Sequence, residues 1–334
     1  MDFRTTIKID PLSEPIKHSD KLMLIGSCFS DSIGARFTAA MMAASVNPLG
    51  TLYNPMSIAT AVERITRCRL VQPEELFEAN GVWNCFDFHS AFSSATAEGA
   101  LQRMNSAITA AHEHLKGCKY VFLTLGTAIT YSLNGVVVGN CHKLPAAQFE
   151  RRMCSVKEVT DALEAAVKML REVNMAVKVI FTVSPIRHIA DGLSANSLSK
   201  STLRVAVGEI TAQMPDCLYF PSYEIVIDDL RDYRFYAADM LHPSEVAVNY
   251  IWEQLRTSCI DPQSLQAIDR CERMTKRLRH RPMSDNAEVV ARFRADTEAA
   301  LNRLRADYPY LGSKEVTIQR IAMQLLSMPR TEHG

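Results

Sequence analysis

Three side chains of this sequence have the types and the order that acyl-transfer chemistry requires: Ser27, Asp239 and His242. A serine hydroxyl is a weak nucleophile and attacks a carbonyl only when a general base removes its proton. His242 offers an imidazole for that step, and Asp239, three residues earlier, has the spacing to orient the imidazole. These residues therefore predict a catalytic triad with Ser27 as nucleophile, His242 as general base and Asp239 as orienting carboxylate.

The sequence around Ser27 places it on a turn between a strand and a helix. Residues 22–25 are consecutive apolar residues, which are typical of a buried parallel strand, and Gly26 ends this run. A helical pattern opens at Asp31. Ser27 should therefore lie at the carboxyl end of a sheet, where open α/β folds bind ligands and a helix amino terminus favours negative charge. Cys28 could be the nucleophile instead, but we expect its thiol to face the core.

Buried strands alternate with amphipathic helices along most of the chain. The further strand and helix patterns lie at 120–125, 177–183, 217–220, 101–115, 156–173 and 244–256. This alternation predicts an α/β protein, a three-layer α/β/α fold with a mostly parallel five-stranded sheet. Residues 191–201 are interpreted as a loop before a helix that contains Leu203.

Two regions of the chain differ in pattern. Residues 1–257 hold the alternating strands and helices, whereas 258–334 predict a helical C-terminal extension. The extension carries a run of basic residues from Arg270 to Arg281. Such a run could bind phosphate, although a solvated helix face is the more frequent reason for it.

Two short runs resemble a known family. Gly-Ser-Cys-Phe-Ser at 26–30 and Asp-Met-Leu-His-Pro at 239–243 resemble the GSCFA-domain family, within the SGNH (GDSL-like) hydrolase superfamily. The eponymous run of the family ends in Ala where this chain has Ser30. The resemblance covers residues 1–257 and includes the aromatic Asp-Phe-His-Ser segment at 87–90. It implies a flavodoxin-like SGNH fold and an esterase that forms an acyl-enzyme on Ser27.

The resemblance also implies positions for the donors that would hold the oxyanion. Gly50 lies in a tight loop with two Asn-Pro pairs, where SGNH enzymes keep an oxyanion glycine; a plain turn glycine is the alternative. The donor asparagine of the superfamily is absent, because Ala128 stands at its place. A tetrahedral intermediate held only by backbone amides would be poorly stabilised. A substitute donor is therefore expected.

A predicted β-hairpin offers two candidates for that donor. Asn134-Gly135 is a typical hairpin turn, and the second strand leads to Asn140 and His142. Either side chain could donate to the oxyanion. Alternatively, Asn140 caps the end of the hairpin and His142 is a surface residue.

Two further histidines complete the predicted substrate-binding set. His89 lies in a segment whose mixture of aromatic and polar groups suits a pocket wall, or else a surface loop packed on the core. His188 follows a strand and should meet the carboxyl edge of the sheet. The spacings of the histidines match no zinc motif, so no metal or other cofactor is expected.

Composition restricts the classes of function. The formal net charge is zero, so nothing in the overall charge points to nucleic acid or an anionic membrane. No apolar run reaches membrane-spanning length, and the polar first residues lack the core of a signal peptide. The nine cysteines include no Cys-x-x-Cys pair and are interpreted as reduced thiols. We therefore expect a cytoplasmic protein that acts on a small acylated molecule; the sequence leaves the oligomeric state open.

The leading hypothesis is a serine-dependent esterase that removes an acetyl or other short acyl group from a carbohydrate or a similar molecule. An acyltransferase with an alcohol acceptor would use the same acyl-enzyme. A non-catalytic ligand-binding module on the same fold is a third hypothesis. The missing asparagine favours this last hypothesis, and the intact triad opposes it.

Overall fold

The computed structural model of the protein describes residues 4–280 and 286–312. Its strands are β1 Lys21–Gly26, β2 Ala43–Val46, β3 Phe77–Ala79, β4 Val82–Asn84, β5 Cys118–Leu125, β6 Ile129–Leu133, β7 Val136–Val137, β8 Glu150–Met153, β9 Lys178–Val183 and β10 Cys217–Tyr219. Its helices are α1 Cys28–Ala39, α2 Pro55–Thr66, α3 Ala97–Leu115, α4 Val156–Val173, α5 Gly192–Gln213, α6 Ser222–Glu224, α7 Glu245–Cys259, α8 Leu265–Arg279 and α9 Ala287–Asp307.

Five of the strands form the central sheet, in the order β2-β1-β5-β9-β10. β5 and β10 both pair in parallel with β9. This is the strand order of flavodoxin-like doubly wound folds, which bind ligands at the carboxyl edge where the order reverses. The predicted α/β fold with a parallel five-stranded sheet flanked by helices is confirmed. The reversal lies between β1 and β5, beside the turn that carries Ser27 and Cys28.

The sheet and its helices bury apolar residues at the spacings that the sequence predicts. Each strand of the sheet centre is almost completely buried; Val121 and Leu123 of β5, for example, have no exposed surface. On α3, the buried residues recur at helical spacing: Ala100, Met104, Ile108, Ala111 and Leu115. α4 begins with a capping box formed by Ser155 and Glu158. Apolar burial of this extent is the main free-energy term that stabilises the sheet.

The interpretation of residues 191–201 as a loop is wrong, because α5 already begins at Gly192. The first turns of α5 are rich in serine and asparagine, which have low helix propensity and hide the helical pattern. Several of these polar side chains are buried: Asn196, Ser199 and Lys200. Hydrogen bonds to neighbouring loops, rather than an apolar face, hold this half of the helix.

The predicted hairpin is confirmed. β6 and β7 pair antiparallel, and Asn134 and Gly135 between them have positive φ angles of 51° and 78°. Two central residues with positive φ define the turn type that matches the twist of paired strands. β8 adds a third antiparallel strand on the other side of β6.

The chain divides into two compact units. The first holds the described residues up to 9, together with 22–32 and 45–251. The second holds 10–21, 33–44 and the described residues from 252 onward. The predicted boundary between a domain at 1–257 and an extension at 258–334 stays a prediction.

The second unit contains the basic run of the C-terminal region. Its apolar cluster includes Leu301 and Leu304 of α9. On α8, Arg270 pairs with Asp307, and Arg277 Nε donates to Thr297 Oγ1 at 2.9 Å. Arg281 lies outside the described residues. Within the described part of the chain, no helix is both long and apolar enough to cross a membrane.

Candidate functional site

Asp239 and His242 form a hydrogen-bonded pair on a tight turn just before α7. The distance from Asp239 Oδ2 to His242 Nδ1 is 2.6 Å. Asp239 Oδ1 accepts hydrogen bonds from the N–H groups of Leu241 and His242, at 2.9 and 3.0 Å. Met240 adopts a left-handed conformation, with a φ of 60°, that closes this turn. The predicted spacing of three residues therefore lets one carboxylate hold both the backbone and the ring of His242.

The carboxylate of this pair is ionised at neutral pH. Burial by itself raises the pKa of Asp239, but the N–H groups of His242 and Leu241 and the imidazole outweigh it and lower the pKa to about 2. A charged Asp239 keeps a proton on Nδ1 of His242. Nε2 is then the ring nitrogen that can accept a proton.

His242 Nε2 lies 3.8 Å from Cys28 Sγ. Cys28 is the first residue of α1 and its side chain is partly exposed. The expectation that the thiol faces the core is therefore wrong. Ser27, in the bend after β1, has no exposed surface, whereas the thiol of the next residue, Cys28, lies beside the imidazole.

Ser27 has no exposed surface. Its N–H donates to Thr124 O at 3.0 Å, and its Oγ accepts the N–H of Phe29 at 3.3 Å. These contacts hold the turn between β1 and α1. The structure thus brings Asp239 and His242 together as predicted, while the side chain that contacts the imidazole is that of Cys28.

Cys28 is a protonated thiol at neutral pH. Burial raises its pKa to about 11, and the negative charge of Asp31 contributes to the increase. The backbone N–H groups at the start of α1 and the Lys200 ammonium favour the thiolate, but they do not compensate for burial. The Asp31 carboxylate is held by Asn47 Nδ2 at 2.8 Å and Thr51 Oγ1 at 3.2 Å. The thiol therefore needs a base, and His242 is positioned as one.

Lys200 is a fully buried lysine at the same edge of the sheet. Its Nζ donates to Gly126 O and Ser184 O, both at 2.6 Å, and so joins the segments that follow β5 and β9. Burial lowers its pKa to about 7, although the Cys28 thiol acts in the opposite direction. Sequence reasoning missed Lys200 because it placed the residue at the end of a loop. Its spacing of three from Leu203, on the buried face of α5, is the signal that could have found it.

His188 presents a buried ring nitrogen to the site. Nε2 is buried and has no hydrogen-bond partner among the described residues. The backbone N–H of His188 donates to Asn196 Oδ1 at 2.9 Å, and the ring lies edge-on to Tyr53, with centroids 5.7 Å apart. Burial lowers the pKa of His188 to about 4, with contributions from the charges of Lys200 and His242. The ring is therefore neutral at neutral pH.

Gly50 does not offer the free amide that an oxyanion hole requires. Its N–H donates to Asn47 O at 2.7 Å, so the prediction that Gly50 holds the oxyanion is wrong. A Cβ at position 50 would lie 2.1 Å from His89 Cβ, and Gly50 has a φ of 87°. Gly50 therefore allows the His89 side chain to approach the loop. His89 Nδ1 accepts the N–H of Ala91 at 3.2 Å.

Asn140 and His142 are bonded to other parts of the protein. Asn140 Oδ1 accepts the N–H of His142 at 2.8 Å. His142 is buried, with Nε2 2.9 Å from Cys85 O and Nδ1 3.3 Å from Ser90 Oγ. Both ring nitrogens are thus occupied, and His142 is neither a free oxyanion donor nor the alternative surface residue. Asn140 caps the end of the hairpin, as the alternative interpretation has it, and its Oδ1 is already bonded within the protein.

The position of the missing asparagine is also occupied. Ala128 is completely buried, and its N–H donates to Ser199 Oγ at 2.7 Å. Ser199 Oγ also lies 3.0 Å from Thr127 Oγ1. Position 128 therefore anchors β6 to α5 and does not face an open site.

The cysteines and histidines of the described residues form no cluster of three or more groups that could hold a metal ion. All nine cysteines lie in the described part of the chain, and each is a free thiol.

The model of the GSCFA family matches residues 21–255 of this chain. The chain belongs to the GSCFA family. The match extends from β1 into α7, so the GSCFA region includes both Cys28 and the Asp239–His242 turn. No curated protein sequence matches this GSCFA chain.

Two solved structures are distantly similar to this GSCFA chain. One is a carbohydrate esterase family 3 protein from Talaromyces cellulolyticus, with 10% identity and a TM-score of 0.36; the alignment covers 75% of this chain and 98% of that one. The other is an acetyl xylan esterase from Butyrivibrio proteoclasticus, with 13% identity and a TM-score of 0.37; coverage is 74% and 66%.

Proposed function

We propose that this protein hydrolyses small acyl esters or thioesters through an acyl-enzyme, with Cys28 as nucleophile, His242 as general base and Asp239 as orienting carboxylate. The observation that carries the proposal is the position of His242 between two partners. Its Nδ1 lies 2.6 Å from Asp239, and its Nε2 lies 3.8 Å from Cys28 Sγ. A nucleophile within reach of a base that is itself oriented by a third group is the arrangement typical of covalent catalysis.

The reaction follows from the protonation states. As Cys28 Sγ bonds to the carbonyl carbon, its proton passes to His242 Nε2, because a thiol with a pKa of about 11 is not ionised at neutral pH. The carbonyl oxygen becomes an oxyanion. When the carbonyl re-forms, the bond to the alcohol or thiol leaving group breaks, and His242 returns the proton to that group.

Deacylation repeats the same proton transfers with water. His242 Nε2 accepts a proton from water while the oxygen attacks the thioester carbon of acyl-Cys28. Collapse of the second tetrahedral intermediate releases the carboxylic acid, and the thiol is restored with the proton from His242. An alcohol in place of water would give acyl transfer, so an acyltransferase requires only a different acceptor.

Cys28 replaces Ser27 as nucleophile in this proposal because a substrate can reach its side chain. Ser27 has no exposed surface, whereas Cys28 is partly exposed and contacts the imidazole. A substrate carbonyl must come within bonding distance of the nucleophile. Ser27 instead positions Cys28 by holding the turn between β1 and α1.

The test compares Cys28→Ala with Ser27→Ala on a panel of p-nitrophenyl esters and aryl thioesters with short acyl chains. Cys28→Ala should remove turnover, and Ser27→Ala should leave most of it once the folded fraction has been measured by circular dichroism. Mass spectrometry should find the acyl group on the peptide that contains Cys28. If Cys28→Ala turns over normally and Ser27→Ala does not, the nucleophile is Ser27.

A third outcome would contradict hydrolysis altogether. If the wild-type protein turns over no ester or thioester of the panel, although iodoacetamide still alkylates Cys28, the non-catalytic binding module becomes the better hypothesis. Cys68, which is also partly exposed, supplies the control: Cys68→Ala should change neither turnover nor the alkylation of Cys28.

A further inference from the structure

The GSCFA site has a nucleophile and a base but lacks the side-chain donor that the oxyanion needs. Ala128 occupies the position expected for an asparagine, and its N–H donates to Ser199 Oγ. The N–H of Gly50 donates to Asn47 O. Since loss of one oxyanion donor costs roughly two to three powers of ten in turnover, a working site requires another donor.

Among the described residues, a buried histidine nitrogen at this edge of the sheet has no hydrogen-bond partner. His188 Nε2 is buried and accepts or donates no hydrogen bond to any described residue. Buried polar groups almost always have hydrogen-bond partners, and an exception calls for an explanation. A substrate atom that binds during the reaction would satisfy this nitrogen.

The position of His188 Nε2 is consistent with that role. A Cβ built on Gly126 would lie 3.3 Å from His188 Nε2 and 3.4 Å from Ser27 Cβ. The ring nitrogen therefore approaches the residue directly before Cys28, across a glycine whose missing side chain leaves the space. The N–H of Arg187 donates to Leu241 O at 3.1 Å and so connects the His188 segment to the turn that carries His242.

The ring of His188 is also held in a fixed position. The backbone N–H is bonded to Asn196 Oδ1 on α5, and Tyr53 contacts the ring edge-on. A donor that is already in place stabilises a developing charge without reorganisation. The charge of Lys200 acts on both His188 and Cys28. It favours the neutral form of the His188 ring, and a neutral imidazole donates a hydrogen bond from only one of its nitrogens.

We propose that His188 donates a hydrogen bond from Nε2 to the oxyanion that forms when Cys28 attacks a substrate carbonyl. His188 thus takes the part of the missing asparagine, and the backbone N–H of Cys28 is the accompanying donor at the start of α1. This inference rests on the proposed function. His188 transfers no proton: it stabilises charge on the oxygen, and His242 moves the protons.

The experiment measures turnover and thiol reactivity in His188→Leu and His188→Asn. Turnover of p-nitrophenyl acetate should fall by about 100-fold or more in His188→Leu, because leucine donates no hydrogen bond. His188→Asn should retain more turnover, since its amide can donate. Alkylation of Cys28 by iodoacetamide forms no oxyanion, so its rate should remain at the wild-type level in both variants.

Several outcomes would overturn the inference. Full turnover in His188→Leu shows that the donor lies elsewhere. Alkylation that slows in parallel with turnover shows that His188 acts on the thiol and not on the oxyanion. If His188→Leu does not fold, His188→Phe, which keeps a ring but has no donor, replaces it in the same comparison with His188→Asn.

The two proposals fail in different ways. Cys28→Ala should abolish both turnover and labelling at position 28; if it keeps turnover, the proposed function is wrong whatever His188 does. His142→Phe is the matched histidine control, because both ring nitrogens of His142 are already bonded within the protein. It should lower the stability of the protein. In the folded protein, both turnover and the rate of Cys28 alkylation should remain at the wild-type level.

Discussion

His242 Nε2 contacts Cys28 Sγ at 3.8 Å, although the residue next to Cys28, Ser27, has the hydroxyl that the sequence suggests as nucleophile. The difference arises at one turn. Ser27 ends the strand side of the turn with its side chain inside, and Cys28 begins α1 with its side chain towards the imidazole. Under the proposed function, the reacting group is therefore the thiol of Cys28 and not the hydroxyl of Ser27, and the two mechanisms differ in ways that can be measured.

The Asp239→Asn variant should fold normally but lose most of its turnover. The carboxylate holds the Nδ1–H tautomer of His242. An amide in its place can donate to Nδ1, which leaves the proton on Nε2, so Nε2 can no longer accept a proton from Cys28. We expect a decrease in kcat of roughly three to four powers of ten, with a smaller change in KM. The matched control is Asp228→Asn, at an exposed aspartate of the same region, which should keep wild-type kcat.

The reactivity of Cys28 with iodoacetamide should increase at high pH. Its pKa of about 11 lies above that of an ordinary thiol, so the fraction of thiolate keeps rising well beyond neutral pH. Because Asp31 contributes to the increase in pKa, Asp31→Asn should shift this rise to lower pH. Asp161→Asn, at an exposed aspartate of α4, should not shift it. A rate that reaches its plateau near pH 7 would instead indicate a preformed thiolate.

Lys200 should make the stability of the protein depend on pH. Its folded-state pKa of about 7 lies below the ordinary value of 10.5, so the unfolded chain binds more protons between these two values. The contribution of Lys200 to the free energy of unfolding should therefore rise with pH across this window and be constant below it.

Urea denaturation of the wild type and of Lys200→Met, from pH 6 to pH 10, measures that dependence. The difference between the two free energies of unfolding should change in favour of the wild type as the pH rises from about 7. Lys168→Met, at an exposed lysine of α4, is the control. A pH-independent difference between wild type and Lys200→Met would show that burial does not alter the titration of Lys200.

The His142→Leu variant should lower stability and leave kcat of the folded protein unchanged. Leucine cannot donate to Cys85 O, which then keeps only the hydrogen bond from the N–H of Phe88, so the loss should be about 1 kcal/mol. Asn140→Ala removes only the acceptor for the His142 N–H and should cost about 1 kcal/mol. Denaturation curves and kcat on one activated ester measure both effects. A loss of turnover without a loss of stability would restore His142 as an oxyanion donor.

The sequence by itself determined the architecture and half of the site. Apolar runs at 22–25 and 120–125 are long and uniform enough to predict buried parallel strands, because both faces of such strands must be apolar. The Asp239–His242 pair was predictable because three residues on one turn suffice to form it. Local patterns of this kind need no information from distant parts of the chain.

Only the tertiary structure decided the rest. Whether the side chain of Ser27 or that of Cys28 contacts His242 depends on how the backbone turns between β1 and α1. The small residues in this turn do not specify the backbone conformation. The burial of Lys200 and the unpartnered Nε2 of His188 depend on segments that are brought together by the parallel sheet. Hydrogen bonds between residues far apart in sequence, which leave no periodic signal, fix these positions.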